Sequence, residues 1–138
     1  MEAYYRLRKY PHWAGVAVTA ERAAEDHIEI ASDPFGEYPP LEEYREEARL
    51  GCEFALRRYA GATRHRIRIT QIEALPAHTW TGDVAYAACG AARQALGITD
   101  DVWPDLVEPP PRPPDNPPLL RTGRGGFLSF MRRLWAGR

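Results

Sequence analysis

Eight of the chain's 13 prolines fall within residues 104–118, PDLVEPPPRPPDNPP. Proline lacks an amide N–H and fixes φ, so such a run supplies donors to neither a helix nor a sheet ladder. It predicts a polyproline-II spacer. At about 3.1 Å per residue, that spacer would hold the C-terminal segment up to roughly 45 Å from the N-terminal one. The 138 residues therefore divide into a domain (1–103), a proline-rich linker (104–118) and a tail (119–138). About a hundred residues are enough for one compact domain and too few for two.

Net charge is −1, so the whole molecule carries no field steering it to nucleic acid. Residues 1–100 hold 12 basic and 15 acidic side chains, whereas the tail, LLRTGRGGFLSFMRRLWAGR, holds five arginines and no acid. No apolar run approaches the roughly 18–20 residues that span a bilayer. Residues 1–10 are basic and aromatic but lead into no signal-peptide apolar core. A cytoplasmic protein is expected. Cys52 and Cys89 are the two cysteines. With no C-x-x-C partner they exclude zinc-ribbon and thioredoxin-type motifs, and they read as buried thiols.

Residues 13–19 alternate around Val16 and Val18, and residues 27–31 around Ile28 and Ile30, which predicts an antiparallel hairpin. A turn is expected at Asp33-Pro34-Phe35-Gly36. A helix is predicted over residues 41–60, with Leu41, Tyr44, Ala48, Cys52, Ala55, Leu56 and Tyr59 as its buried stripe. Glu42, Glu43, Glu46 and Glu47 crowd its N-terminal half, read as a solvated face with a partner-binding acidic patch as the alternative; Arg57 and Arg58 suit its C-terminal end, and Gly61 stops it. Residues 66–75 form the strongest strand. Ile67 and Ile69 share a face and Ile72 breaks the parity, which predicts a bulge near Thr70-Gln71. Residues 77–80 suggest a short further strand. Thr81 then caps an alanine-rich helix with Asp83 in its first turn, ending at Gly97. The class is α+β: a small, mostly antiparallel sheet with two helices on one face.

Residues 65–97, HRIRITQIEALPAHTWTGDVAYAACGAARQALG, resemble the C-terminal half of domain IV of translation elongation factor G. LEEYREEARLGCEFALRRYAG is similar to the helix that the family places before this strand, and WAGVAVTAER and HIEIAS would fill its first two strands. The resemblance covers residues 13–97. It implies the ribosomal protein S5 domain 2-like fold, with an unusual left-handed β-α-β crossover. The chain has no Walker-type phosphate loop, so no accompanying GTPase domain is expected. The family's ribosome-reaching tip loops have no counterpart here, and no functional residue is carried over.

Five side chains form the best catalytic-looking group: His78, Thr79, Thr81, Asp83 and Cys89. A His and an Asp flanking a strand-to-helix junction can orient each other, and Cys89 lies within two turns of the helix start. The competing reading gives Asp83 and Thr81 a capping role and Cys89 a place on the packed face. His12, His27, His65 and His78 show no metal-ligand spacing. No catalytic residue, metal ligand or cofactor is assigned. Arg64, Arg66 and Arg68 are candidate RNA contacts, set against pairing with the acidic helix or exposure to solvent.

The tail carries the most informative functional feature. Phe127, Leu128, Phe130, Met131, Leu134 and Trp135 make one apolar stripe at helical spacing, with Arg132 and Arg133 on the other face. So short a helix orders only against a second surface. That surface is the domain's own uncovered sheet face, a groove on a partner protein, an anionic membrane surface bound weakly, or nucleic acid. The expected function is that of a non-enzymatic adaptor or accessory protein whose tail docks on a partner protein. The alternatives are a ribosome- or RNA-associated factor, and a small enzyme using Cys89 and His78.

Overall fold

The computed structural model describes residues 1–106; the linker beyond Leu106 and the whole of the tail stripe lie outside the described residues. The elements are β1 (Glu2–Lys9), β2 (His12–Ala23), β3 (His27–Ile30), α1 (Glu42–Arg58), β4 (Arg64–Glu73) and α2 (Asp83–Leu96). The sheet order is β1-β2-β4-β3. The β1–β2 and β2–β4 pairs are antiparallel, and β4–β3 is parallel. Both helices cover one face of this sheet, so the α+β class holds.

The hairpin predicted between residues 13–19 and 27–31 does not form. β4 lies between those strands, and β3 reaches it in parallel through α1. A central place buries Ile67, Ile69 and Ile72 of β4 completely, which a sheet edge would not do. The four-residue β3 is left at the edge. Residues 1–10 supply β1, a strand absent from the expected order, and it joins β2 through a turn containing the cis Tyr10–Pro11 bond. Residues 76–78 form a turn, and no strand is present over residues 77–80.

The predicted bulge is present. Ala17 pairs with Gln71 and Val18 with Ile69, so Thr70 is the extra residue, and its hydroxyl donates to the Ala17 carbonyl at 3.2 Å. The bulge shifts the alternation by one residue and returns Ile72 to the core side with Ile67 and Ile69.

Small residues set the distance between the helices. A Cβ added to Gly51 of α1 would overlap the Ala85 carbonyl oxygen of α2 and lie 2.9 Å from Ala88 Cβ. Gly90 sits over Tyr5, whose ring atoms would be 2.5 Å from an added Cβ. Helix α1 ends at Arg58 with Tyr59 extended, so Gly61 is not its stop. Gly97 does end α2, in the left-handed conformation (φ 71°), and Ile98 N–H returns to the Arg93 carbonyl at 2.9 Å.

Beyond α2 the chain folds back along the helix. The Arg93 guanidinium binds the Asp100 carboxylate at 2.8 Å, the Val102 carbonyl at 3.0 Å and the Asp100 carbonyl. It thereby holds the Asp100 carboxyl below the usual carboxylate range. Arg93 also lies over the Trp103 ring, which stacks on Tyr86 at 5.1 Å. Pro104 is buried and Leu106 packs against the core.

Candidate functional site

The junction of β4 and α2 brings together a different pair from the one the spacing suggests. Asp83 is fully buried, and its Oδ1 lies 2.7 Å from Nδ1 of His12, the first residue of β2. Its Oδ2 accepts from Trp80 N–H at 2.8 Å and Trp13 N–H at 3.2 Å. One carboxylate therefore ties the β1–β2 turn, the segment after β4 and the start of α2. Burial pushes its carboxyl above the ordinary carboxylate range, while the backbone and His12 donors pull the other way. His78 is exposed in the turn at residues 76–78. Thr79 is buried: its hydroxyl accepts from Leu75 N–H at 2.9 Å and donates to the Trp13 carbonyl at 2.7 Å.

Thr81 is not the cap. The N-cap of α2 is Gly82, in the left-handed region (φ 90°), with no side-chain cap bond of its own. Glu47 of α1 takes that role from a distance, its Oε1 accepting the Gly82 N–H at 3.0 Å. Glu47 is fully buried and so does not belong to the solvated acidic face. An acid facing the positive end of α2 is a favourable place for a buried carboxylate. The spacing carried a signal for this: Glu47 stands three residues after Tyr44 and four before Gly51, within the buried stripe. His12 carried none, because its partner is 71 residues away.

Cys52 and Cys89 are both free and fully buried where the two helices pack. Burial raises the Cys52 thiol well above its ordinary range and pushes Cys89 up to about 12. Neither forms thiolate at neutral pH, and the structure does not bring Cys89, His78 and Asp83 into one constellation. Native protein is therefore expected to resist a water-soluble thiol reagent, with two thiols per chain reacting only in denaturant.

The sheet face away from the helices is polar. Arg66 on β4 pairs with Glu21 of β2 at 3.2 Å and Glu29 of β3 at 3.8 Å, and Arg64 pairs with Asp26 at 3.5 Å. The acids that meet this arginine stripe come from β2, β3 and the connection between them, and not from α1. Arg68 is exposed and stands in register with Glu29. Further along the face, Glu73 is 5% exposed and accepts from Tyr4 Oη and Arg6 Nη2, both at 2.8 Å, and from Gln71 Nε2 at 2.9 Å. Gly15 leaves room for this network, since an added Cβ would sit 2.8 Å from Glu73 Oε2 and Tyr4 Oη. Where β1 turns into β2, Arg8, Tyr10, His12, Trp13, His78 and Trp80 contribute to an open recess of about 810 Å³. Among the described residues no three His, Cys, Asp or Glu side chains converge as a metal set, and no helix is long and apolar enough to cross a membrane.

This architecture is a four-stranded α+β layer whose uncovered face is hydrogen-bonded within itself. Among solved structures it is similar to the crystal structure of a protein from Thermus thermophilus, at 14% identity and a TM-score of 0.53. The similarity covers 70% of this chain and 15% of that one, so the chain spans a small part of the length of the protein it matches. At that identity the likeness shows the fold alone. No family model and no curated protein matches the chain.

Proposed function

We propose that the protein is a non-enzymatic adaptor whose domain carries a partner-docking tail, with Phe127, Leu128, Phe130, Met131, Leu134 and Trp135 as the contact stripe and Arg132 and Arg133 flanking it. The observation that supports this reading is the polarity of the uncovered sheet face. Tyr4, Arg6, Thr19, Arg66, Arg68 and Gln71 occupy that face. An apolar stripe laid on it would strip water from these groups without replacing their hydrogen bonds. The large hydrophobic side chains exposed among the described residues are scattered: Met1, Tyr4, Tyr10 and Leu41. The stripe's chemistry thus suits a hydrophobic groove on another protein better than this domain.

The test compares the full chain with a version ending at Pro118, and with F130D/L134D in the full chain, as baits in an extract of the source cell. The full chain is expected to retain a protein that both altered baits lose. A synthetic peptide of residues 119–138 should then bind that purified protein directly, read by Trp135 fluorescence. Equal capture by all three baits would remove the tail from the interaction.

A second reading, ribosome or RNA association, draws on the resemblance to domain IV of elongation factor G. The parallel β3-α1-β4 unit is compatible with that family's domain. Residues 1–106 carry 12 basic and 17 acidic side chains, and Arg64 and Arg66 are paired with acids, so this reading leans on Arg68 and on the tail, which holds five arginines and no acid. This reading calls for RNA binding that weakens steeply with salt and is reduced in R66A/R68A. The membrane-surface reading of the tail calls for binding to anionic vesicles.

A further inference from the structure

The sheet order leaves β1 with a neighbour on one side only. It is the long edge, eight residues against four in β3 at the other end. Among the described residues no strand covers its outer side. An edge of this length offers a row of backbone donors and acceptors to another strand.

We infer that β1 is a homodimer interface, pairing antiparallel with β1 of a second copy to make a continuous eight-stranded sheet about a two-fold axis at Tyr5. Two geometric conditions select this register. Both copies must turn their helix layers to the same side, so opposed residues must have the same parity. The side chains on each face must then suit one another. With Tyr5 opposite Tyr5, Glu2 meets Arg8 and Tyr4 meets Arg6 on the open face, while Ala3 meets Leu7 on the helix side. Each open-face pair occurs twice by symmetry, which places two opposite-charge pairs and two cation–aromatic pairs across the seam. Within one chain Arg6 lies over Tyr4, 5.4 Å from the ring centroid, and both also bind Glu73 across β2, which leaves the exposed Glu2 and Arg8 as the pair that carries the register. Moving the axis one allowed step to Arg6 would oppose Arg6 to Arg6 and keep only Tyr4 opposite Arg8, and moving it to Tyr4 would keep only Glu2 opposite Arg6. Only the axis at Tyr5 brings both kinds of pair together across the seam. Tyr5 lies beneath Trp103 at 5.7 Å, so the helix layer reaches the edge with an aromatic pair beside the axis.

Glu2 and Arg8 are both exposed and the native thiols are buried, so cross-linking can read the register in the full chain. Equimolar E2C and R8C proteins, mixed and oxidised gently, should give the mixed disulfide well beyond the random-pairing ratio. The two like pairs would each be about 20 Å apart across the axis, at roughly 3.3 Å per residue. In sedimentation, the wild-type chain should reach twice the mass of one chain. E2R and R8E should each weaken association, and the E2R/R8E double variant should restore it, since exchange of the charges preserves the pairing. A monomer at all concentrations, a random distribution of disulfides, or additive loss in the double variant would overturn the inference. The first would leave β1 covered by another segment or by a different partner.

Discussion

Gly51→Ala is expected to lower the stability of the domain by about 3 kcal/mol, although alanine is the better helix former by about 1 kcal/mol. The added methyl would overlap the carbonyl oxygen of Ala85, and that oxygen belongs to the backbone of α2. A side chain could rotate away, but a helix carbonyl moves only with its helix. Relief therefore requires α1 and α2 to separate, which opens voids beside Ala48, Cys52, Ala88 and Cys89, all fully buried. Gly90→Ala is the informative comparison. Its added methyl meets the root of the Tyr5 ring, a side chain that can shift without moving a helix, so the loss should be smaller, about 1–2 kcal/mol. Urea melts of the three proteins at neutral pH decide the matter. Equal losses in the two variants would mean that the helix crossing yields as easily as a side chain.

Asp83→Ala should be the most damaging single change at the junction, at about 3–5 kcal/mol. It leaves two backbone amides and His12 in a buried site without the carboxylate they face. Asp83→Asn keeps an acceptor and should lose less. The pair also gives a pH signature. Burial raises the Asp83 carboxyl above its value in the unfolded chain, so the folded state holds that proton more tightly. Its contribution to stability is complete below the ordinary aspartate pKa of about 4 and is lost as pH rises through the raised value. The stability gap between wild type and D83N should therefore be widest near pH 4 and narrow towards neutrality, in urea melts across that range. A gap that widens with pH would mean that the His12 and amide donors outweigh burial.

The parts of this fold that were legible in the sequence are those fixed by neighbours along the chain. The break in parity at Ile72 located the bulge, because alternation is a local property of a strand. Gly97 marked its helix end for the same reason. What escaped is non-local. Adjacent strands usually pair, and nothing in residues 13–31 announces that β4 will come between β2 and β3. In β1, Tyr4 and Tyr5 put an aromatic ring on each face, which hides the alternation that Tyr5 and Leu7 would otherwise display. Thr81 looked like a cap because a hydroxyl before a helix usually is one, while the acceptor that serves Gly82 comes from Glu47 on another helix. The site residues divide in the same way. Asp83 was visible as a polar residue at a helix start, but its partner His12 was not, because their meeting depends on the completed sheet.

The insertion of β4 between two earlier strands has a consequence for synthesis. While the chain is being made, β1 and β2 can close their hairpin as soon as both have left the ribosome, but β3 then has no strand to join. It must wait through α1 until β4 emerges and bonds to both sides at once. Until then the inner edge of β2 lies open, and Val16 and Val18 lack the isoleucines that later cover them. Chaperone capture during translation should therefore concentrate on the interval between the appearance of β2 and that of β4, and fall sharply once Glu73 has cleared the exit tunnel.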